Sequence, residues 1–176
     1  MKFTTLCYIE KDNKVLLLYR NKKENDLNEG KWIGVGGKFE EKESPDECLI
    51  REVKEETGLT LTKFKLRCLV TFVSDKWETE HMYVYTATEF TGEIKECDEG
   101  ILEWVDKDKM LELPTWEGDR LFLEKMKETE EFFTMKVEYK GDKLVKWGKK
   151  GTVPFFPWDI TKGGKEDVNW ESKRIF

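Results

Sequence analysis

Residues 36–59 read GGKFEEKESPDECLIREVKEETGL. Between Phe39 and Leu59 the stretch holds eight carboxylates (Glu40, Glu41, Glu43, Asp46, Glu47, Glu52, Glu55 and Glu56) against three cations (Lys42, Arg51 and Lys54). Crowded like charges destabilise a fold unless solvent or a cation answers them. Ser44 is a good N-cap, Pro45 suits the first helical position, and Glu47 stands where a capping box places its acid. Gly58 is a natural C-cap. A helix is therefore predicted over residues 45–57, with Cys48, Leu49, Val53 and Ile50 turned toward a core. Glu52, Glu55 and Glu56 then stand at i, i+3 and i+4, which gathers their carboxylates on one side within a turn. One reading is a solvated acidic face. The other is a divalent-metal site: hard oxygen donors in this number suit Mg²⁺, with Mn²⁺ as the alternative, and such an ion in turn holds phosphate oxygens. Arg51 is placed to pair with a neighbouring acid, most simply Glu43, and so to fix the preceding loop against the helix.

Upstream, "FTTLCYIE" and "KVLLLYR" read as two strands joined by a "KDN" turn, a hairpin. "NKKENDLNEGK" is polar loop, and "WIGVGGKF" sets three glycines among apolar residues, as suits backbone that must come close to something. Downstream, "KFKLRCLVTFVS" and "EHMYVYTATEF" are strand-like, and "GILEWVD" is a further short strand. "DRLFLEKMKETEEF" (residues 119–132) has helical spacing at Leu121, Phe122, Leu123 and Met126. The alternation of Phe133, Met135, Val137 and Tyr139 before Gly141 predicts a second hairpin. The boundary expected is a domain over residues 1–147 and a tail over residues 148–176 with no period of its own.

With 176 residues, 39% charged and 38% hydrophobic, the chain reads as one soluble globular domain. No apolar run approaches bilayer length, and the start "MKFTTLCYIEKDNKVLLLYR" is too interrupted by charge for a signal peptide, so no membrane partner is expected. Four scattered cysteines (Cys7, Cys48, Cys68 and Cys97) fit a reducing cytoplasm, and a lone His81 argues against zinc. A net charge of −6 argues against a nucleic-acid polymer as partner. An acidic protein can still take a phosphorylated small molecule where a metal reverses the local sign. Oligomeric state is not legible.

Gly37, five residues, Glu43, seven residues, then Arg51-Glu52-Val53-Lys54-Glu55-Glu56-Thr57-Gly58-Leu59 resembles the signature of the Nudix hydrolases without a departure. The resemblance implies a mixed β-sheet between helices, an α/β/α sandwich of the α+β class, with this box as loop-helix-loop. It implies hydrolysis of a nucleoside diphosphate linked to another group. Carried onto this chain, Glu52, Glu55 and Glu56 would be metal ligands, with the Gly37 carbonyl helping, and Arg51 is counted with the catalytic set. The metal would neutralise phosphates and lower the pKa of an attacking water. A nearby carboxylate would accept its proton, with Glu52 one candidate and Glu99, also counted as a possible ligand, the other. Arg20 and Lys38 are the candidate phosphate contacts.

The similarity extends over residues 1–147, to the MutT-like, oxidised-purine branch of the family, through "KVLLLYR", "GKWIGVGGK", "ECDEGILEWVD", "LPTWEGDRLFL" and "EFFTMKVEYKGDKL". It implies that Trp116 stacks on a purine and Asp119 bonds its edge, with Thr5 and Phe72 among the substrate-binding positions. Two departures stand out: Ile33 replaces an Asn that could bond a base, and Gly118 replaces an acid beside Asp119. Loss of polar readers weakens discrimination between substrates. The activity expected is Mg²⁺-dependent cleavage of a nucleoside triphosphate to monophosphate and pyrophosphate, with 8-oxo-dGTP leading, as in sanitation of the nucleotide pool. The alternatives are another (d)NTP, including a modified pyrimidine triphosphate, or a non-catalytic nucleotide sensor on the same fold.

Overall fold

The computed structural model describes residues 1–22, 26–150 and 156–159, with residues 149–150 and 156–159 described by their backbone alone. Strands β1 (Lys2–Lys11) and β2 (Lys14–Arg20) form the expected hairpin. Its turn residues Asp12 and Asn13 both have positive φ (50° and 60°), as a tight turn matched to strand twist requires. After β3 (Trp32–Ile33) comes helix α1 (Pro45–Thr57), followed by the long pair β4 (Thr60–Ser74) and β5 (Glu80–Thr91), then β6 (Gly100–Asp106). Helix α2 (Glu117–Glu128) leads to the hairpin β7 (Phe133–Lys140) and β8 (Lys143–Lys150), and β9 (Phe156–Asp159) adds to its outer edge.

One mixed sheet runs β3-β2-β1-β5-β4-β7-β8-β9, and β6 lies along β2. The β1–β5 and β4–β7 pairs are parallel and the others antiparallel. Alternation along β1 divides the core in two. Leu6 and Tyr8 join a cluster with Val70, Phe72, Trp116, Phe122 and Met135 on the α2 face, whereas Cys7 and Ile9 join Leu49, Val53, Leu59 and Tyr85 on the α1 face. The expected α/β/α sandwich is thus observed. Each fully buried aliphatic or aromatic side chain contributes about 1.5–3 kcal/mol, and the four cysteines are free and buried within it.

Helix α1 has the predicted bounds and caps. The Ser44 hydroxyl accepts from the Glu47 amide at 3.3 Å, the Glu47 carboxylate accepts from the Ser44 amide at 2.8 Å, and Gly58 ends the helix at φ 81°. Ile50, expected on the core side, is instead 38% exposed, because Leu49 and Val53 already define the buried stripe and a neighbour of Leu49 falls about 100° around the helix. Helix α2 starts two residues earlier than predicted and ends at Glu128 instead of 132. There the Arg67 guanidinium takes the Met126 and Thr129 carbonyls at 2.9 and 2.8 Å, satisfying groups that another turn would have engaged. Part of the tail, Phe156–Asp159, is a strand paired with β8. Residues 151–155 and 160–176 lie outside the described residues. Among the described residues no helix is long and apolar enough to cross a membrane.

Candidate active site

On the N-terminal side of Ile9, β1 parts from β2, and the glycine stretch takes its place as the neighbour of β1. Cys7 and Val35 exchange amide hydrogen bonds, the Thr5 amide donates to the Gly37 carbonyl at 2.8 Å, and the Phe39 amide donates to the Phe3 carbonyl. This is the close approach the glycines permit. A Cβ on Gly36, which has φ 154°, would stand 2.2 Å from the Thr5 carbonyl oxygen. A Cβ on Gly37 would stand 2.4–2.5 Å from the Glu52 carboxylate. Gly37 therefore makes room for an acid of α1 against the loop backbone.

Arg51 organises the acids around that loop. Its guanidinium holds Glu43 through two bonds of 2.6 and 2.9 Å, reaches Glu52 at 2.9 Å and Glu55 at 3.2 Å, and donates to the Lys38 carbonyl at 3.0 Å. The hydrogen bonds from Arg51 hold the Glu43 carboxyl down to about 2, and Glu43 in turn raises Arg51. The predicted Glu43–Arg51 pair is present. Arg51 is not among the residues that line the neighbouring cavity; through Glu43, Glu52 and the Lys38 carbonyl it positions the loop and the acids.

Arg20, buried, bonds Asp26 at 2.6 Å, bonds Glu99, and lies 3.9 Å from Glu56, which also accepts the Gly36 amide at 3.0 Å. Of the three helix acids expected to gather, Glu52 and Glu55 are thus engaged by Arg51 and Glu56 by Arg20 and the Gly36 amide. Among the described residues no three His, Cys, Asp or Glu side chains form a ready metal cage, because the two arginines divide the acids between them. The Glu55 side chain is 60% exposed and lies outside the cavity, whereas Glu52, Glu56 and Glu99 line it.

That cavity measures about 550 Å³. Besides the three acids and Gly37 it is lined by Arg20, Lys38, Thr5 and Ile33, and by Phe72, Trp116 and Asp119, so most of the predicted site residues meet in one space. The Thr5 hydroxyl sits 3.6 Å from Cys48 Sγ, and Phe72 and Trp116 pack at 6.2 Å edge to face. Trp116 belongs both to the α2-side core cluster and to the cavity lining. It is 8% exposed, its indole N–H donates to Asn28 Oδ1 at 2.9 Å, and Lys31 Nζ lies 4.2 Å from its ring centroid. Asp119 is 7% exposed beside the Thr115 hydroxyl (3.4 Å). Burial pushes its carboxyl up to about 7, with Glu80 adding to the rise and Thr115 and Lys31 opposing it.

Reading the sequence did not find Leu27, Asn28, Trp77, Glu80, Met82, Val137 or Tyr139 as cavity residues. For Tyr139 the signal was available: the alternation of β7 puts it on the face of Val137 and Met135. Its hydroxyl accepts from the Gly118 amide at 2.7 Å. A side chain at Gly118 would meet that hydroxyl at 2.9 Å and Val137 at 3.1 Å, so Tyr139 occupies the space that an acid at 118 would enter. Asn28, in a polar loop, left no sequence signal.

The donor set suits a hard divalent cation. Glu52, Glu56 and Glu99 with the Gly37 carbonyl offer oxygen alone, and that carbonyl, with one lone pair engaged by Thr5, keeps a second.

A family model described as NUDIX domain matches residues 2–126. The chain is 35% identical over 127 residues to an uncharacterized Nudix hydrolase, YvcI, of Bacillus subtilis (strain 168), covering 69% of this chain and 77% of that one. It is 30% identical over 132 residues to the oxidized purine nucleoside triphosphate hydrolase of Danio rerio, covering 74% of this chain and 83% of the relative. Among solved structures, a MutT protein from Bacillus halodurans superposes with a TM-score of 0.77 at 29% identity, over 88% of this chain and 100% of that one.

Proposed function

We propose, from the premise that this chain belongs to the Nudix family and is a hydrolase, that it cleaves nucleoside triphosphates to the monophosphate and pyrophosphate, with 8-oxo-dGTP its leading substrate. One observation carries the reading. A single cavity presents the acids Glu52, Glu56 and Glu99 together with an aromatic and carboxyl group, Phe72, Trp116, Tyr139 and Asp119, suited to a nucleobase. The oxidised-purine activity by which the Danio rerio relative is named supports the choice of substrate.

Trp116 and Phe72 offer ring surface to a base, and base–aromatic stacking contributes about 1–3 kcal/mol. Asp119, with its pKa near 7, both donates and accepts around neutrality, which matches a base edge carrying an N–H beside a carbonyl. Lys38 meets phosphate charge. Arg20, in place among Asp26, Glu56 and Glu99, fixes the acids that would hold Mg²⁺ or Mn²⁺ together with Glu52 and the Gly37 carbonyl. When bound, such a cation supplies neutralisation of the phosphate oxygens and a more acidic water. Glu52 or Glu99 would accept the proton of a water attacking phosphorus, and the P–O bond that breaks separates the monophosphate from pyrophosphate. Arg51 keeps Glu52 in place throughout.

The test is a panel of ordinary and oxidised nucleoside triphosphates with Mg²⁺, scored for pyrophosphate against orthophosphate. Pyrophosphate release, fastest from 8-oxo-dGTP, is expected. Faster turnover of a pyrimidine triphosphate would move the substrate elsewhere, and orthophosphate as product would reject the cleavage position.

A further inference from the structure

Along β5 the residues Glu80, Met82 and Val84 alternate onto one face, and Met82 and Val84 belong to the apolar cluster beneath the cavity. Glu80 continues that row with a carboxylate. Its neighbours across the sheet are Lys2 on β1 and Phe72 on β4, and all three line the cavity. The Thr4 hydroxyl donates to Glu80 Oε1 at 2.7 Å, which fixes the side chain. A carboxylate offers about four acceptor positions, so one hydroxyl leaves most of its capacity for another donor. Glu80 lies near enough to Asp119 that its charge helps raise the Asp119 pKa. The pocket wall therefore carries two carboxyl groups among Phe72, Trp116 and Met82, where Ile33 offers no polar group at all.

An acid set among apolar and aromatic groups is stabilised by an N–H donor and strongly disfavours another acceptor. We propose that Glu80 reads the nucleobase: its carboxylate accepts from a base N–H, and with Asp119 it selects a purine edge bearing adjacent N–H donors, as the N1–H and 2-amino group of guanine do. This inference rests on the nucleotide reading of the cavity. It assigns to Glu80 the discrimination that Ile33 and Gly118 lack, so the pocket keeps two carboxyl groups although residue 118 has no side chain.

The experiment is calorimetric titration of the whole protein with dGMP and with dIMP, which differ only in the 2-amino group, and neither titration depends on turnover. The wild type is expected to bind dGMP about tenfold or more tightly than dIMP, as a hydrogen bond to a charged group implies. Glu80→Gln, which keeps an acceptor oxygen but no charge, should narrow that ratio, and Glu80→Ala, measured alongside with its melting temperature, should bring it close to one. A merely structural role, tying β5 to β1 through Thr4, would lower the melting temperature of both variants and leave the ratio unchanged, overturning the proposal. Equal binding of the two nucleotides by the wild type would overturn it too while leaving the nucleotide reading intact. If the wild type bound neither nucleotide at millimolar concentration, the nucleotide reading would fall and Glu80 with it.

Discussion

Asp119 is a buried acid whose ordinary pKa of 3.8 rises to about 7, chiefly through desolvation. The folded state thus holds a proton that the unfolded chain has released at neutral pH. Stability from this group is complete below about pH 4 and is lost as pH climbs toward about 7. Asp119→Asn should flatten the dependence of melting temperature on pH between 5 and 8 and raise stability at pH 8 relative to wild type; an unchanged slope would show that Asp119 is ionised throughout. Ile33, 8% exposed at the cavity wall, packs without hydrogen bonding. Ile33→Asn should widen the preference for 8-oxo-dGTP over dGTP, read as a ratio of kcat/KM, by the ~0.5–1.5 kcal/mol of one net hydrogen bond. A ratio already very large in the wild type would mean that other residues do the discriminating. Both residues were visible in the sequence through the family pattern. Glu80 was not, since an acid at the start of a strand gives no sign that its row faces a cavity. The Gly118 departure was visible, but its reason, the Tyr139 hydroxyl, depends on a strand some twenty residues away.

At the scale of elements, the box helix was the most legible part of the chain, because its caps, its apolar stripe and its terminal glycine are all local. The Glu43–Arg51 pair was legible for the same reason. What the helix does with its acids was not, since Arg20 reaches Glu56 and Glu99 from β2, and only the sheet order brings them together. Arg51 clamps loop to helix through a fork that lysine cannot reproduce. Glu43→Gln should lower stability at pH 7 by about 1 kcal/mol, because both partners keep some solvent contact. The sign follows from the depressed pKa of Glu43: its contribution is present above the ordinary carboxyl value and fades as pH falls toward 2. The wild type and the variant should therefore converge in acid denaturation, and a constant gap down to pH 2 would contradict the ion-pair account. The early end of α2 was illegible because Arg67, which takes its last carbonyls, comes from β4.

Across the whole molecule, the sandwich sets its two helices to opposite tasks. One carries the acids to the glycine loop, and the other begins at Trp116 and sets Asp119 against the sheet. The strands and helices were readable because alternation and periodicity are local, and their arrangement as a sandwich was implied by the family resemblance of the box, whereas the joining of the two clusters of site residues into one cavity is a product of topology. A divalent cation that binds the folded protein should also stabilise it by mass action. Saturating Mg²⁺ or Mn²⁺ should raise the melting temperature of the wild type, and Glu52→Gln should reduce that rise. An undiminished rise in the variant would place the cation elsewhere. The most direct measurement is pyrophosphate release from 8-oxo-dGTP by the wild type and by Glu56→Gln, with Mg²⁺ and with chelator. The account predicts turnover in the wild type that chelator abolishes, and a loss of ~10²-fold or more in the variant with its melting temperature little changed. Near-wild-type turnover by a folded Glu56→Gln protein at saturating Mg²⁺ would contradict it.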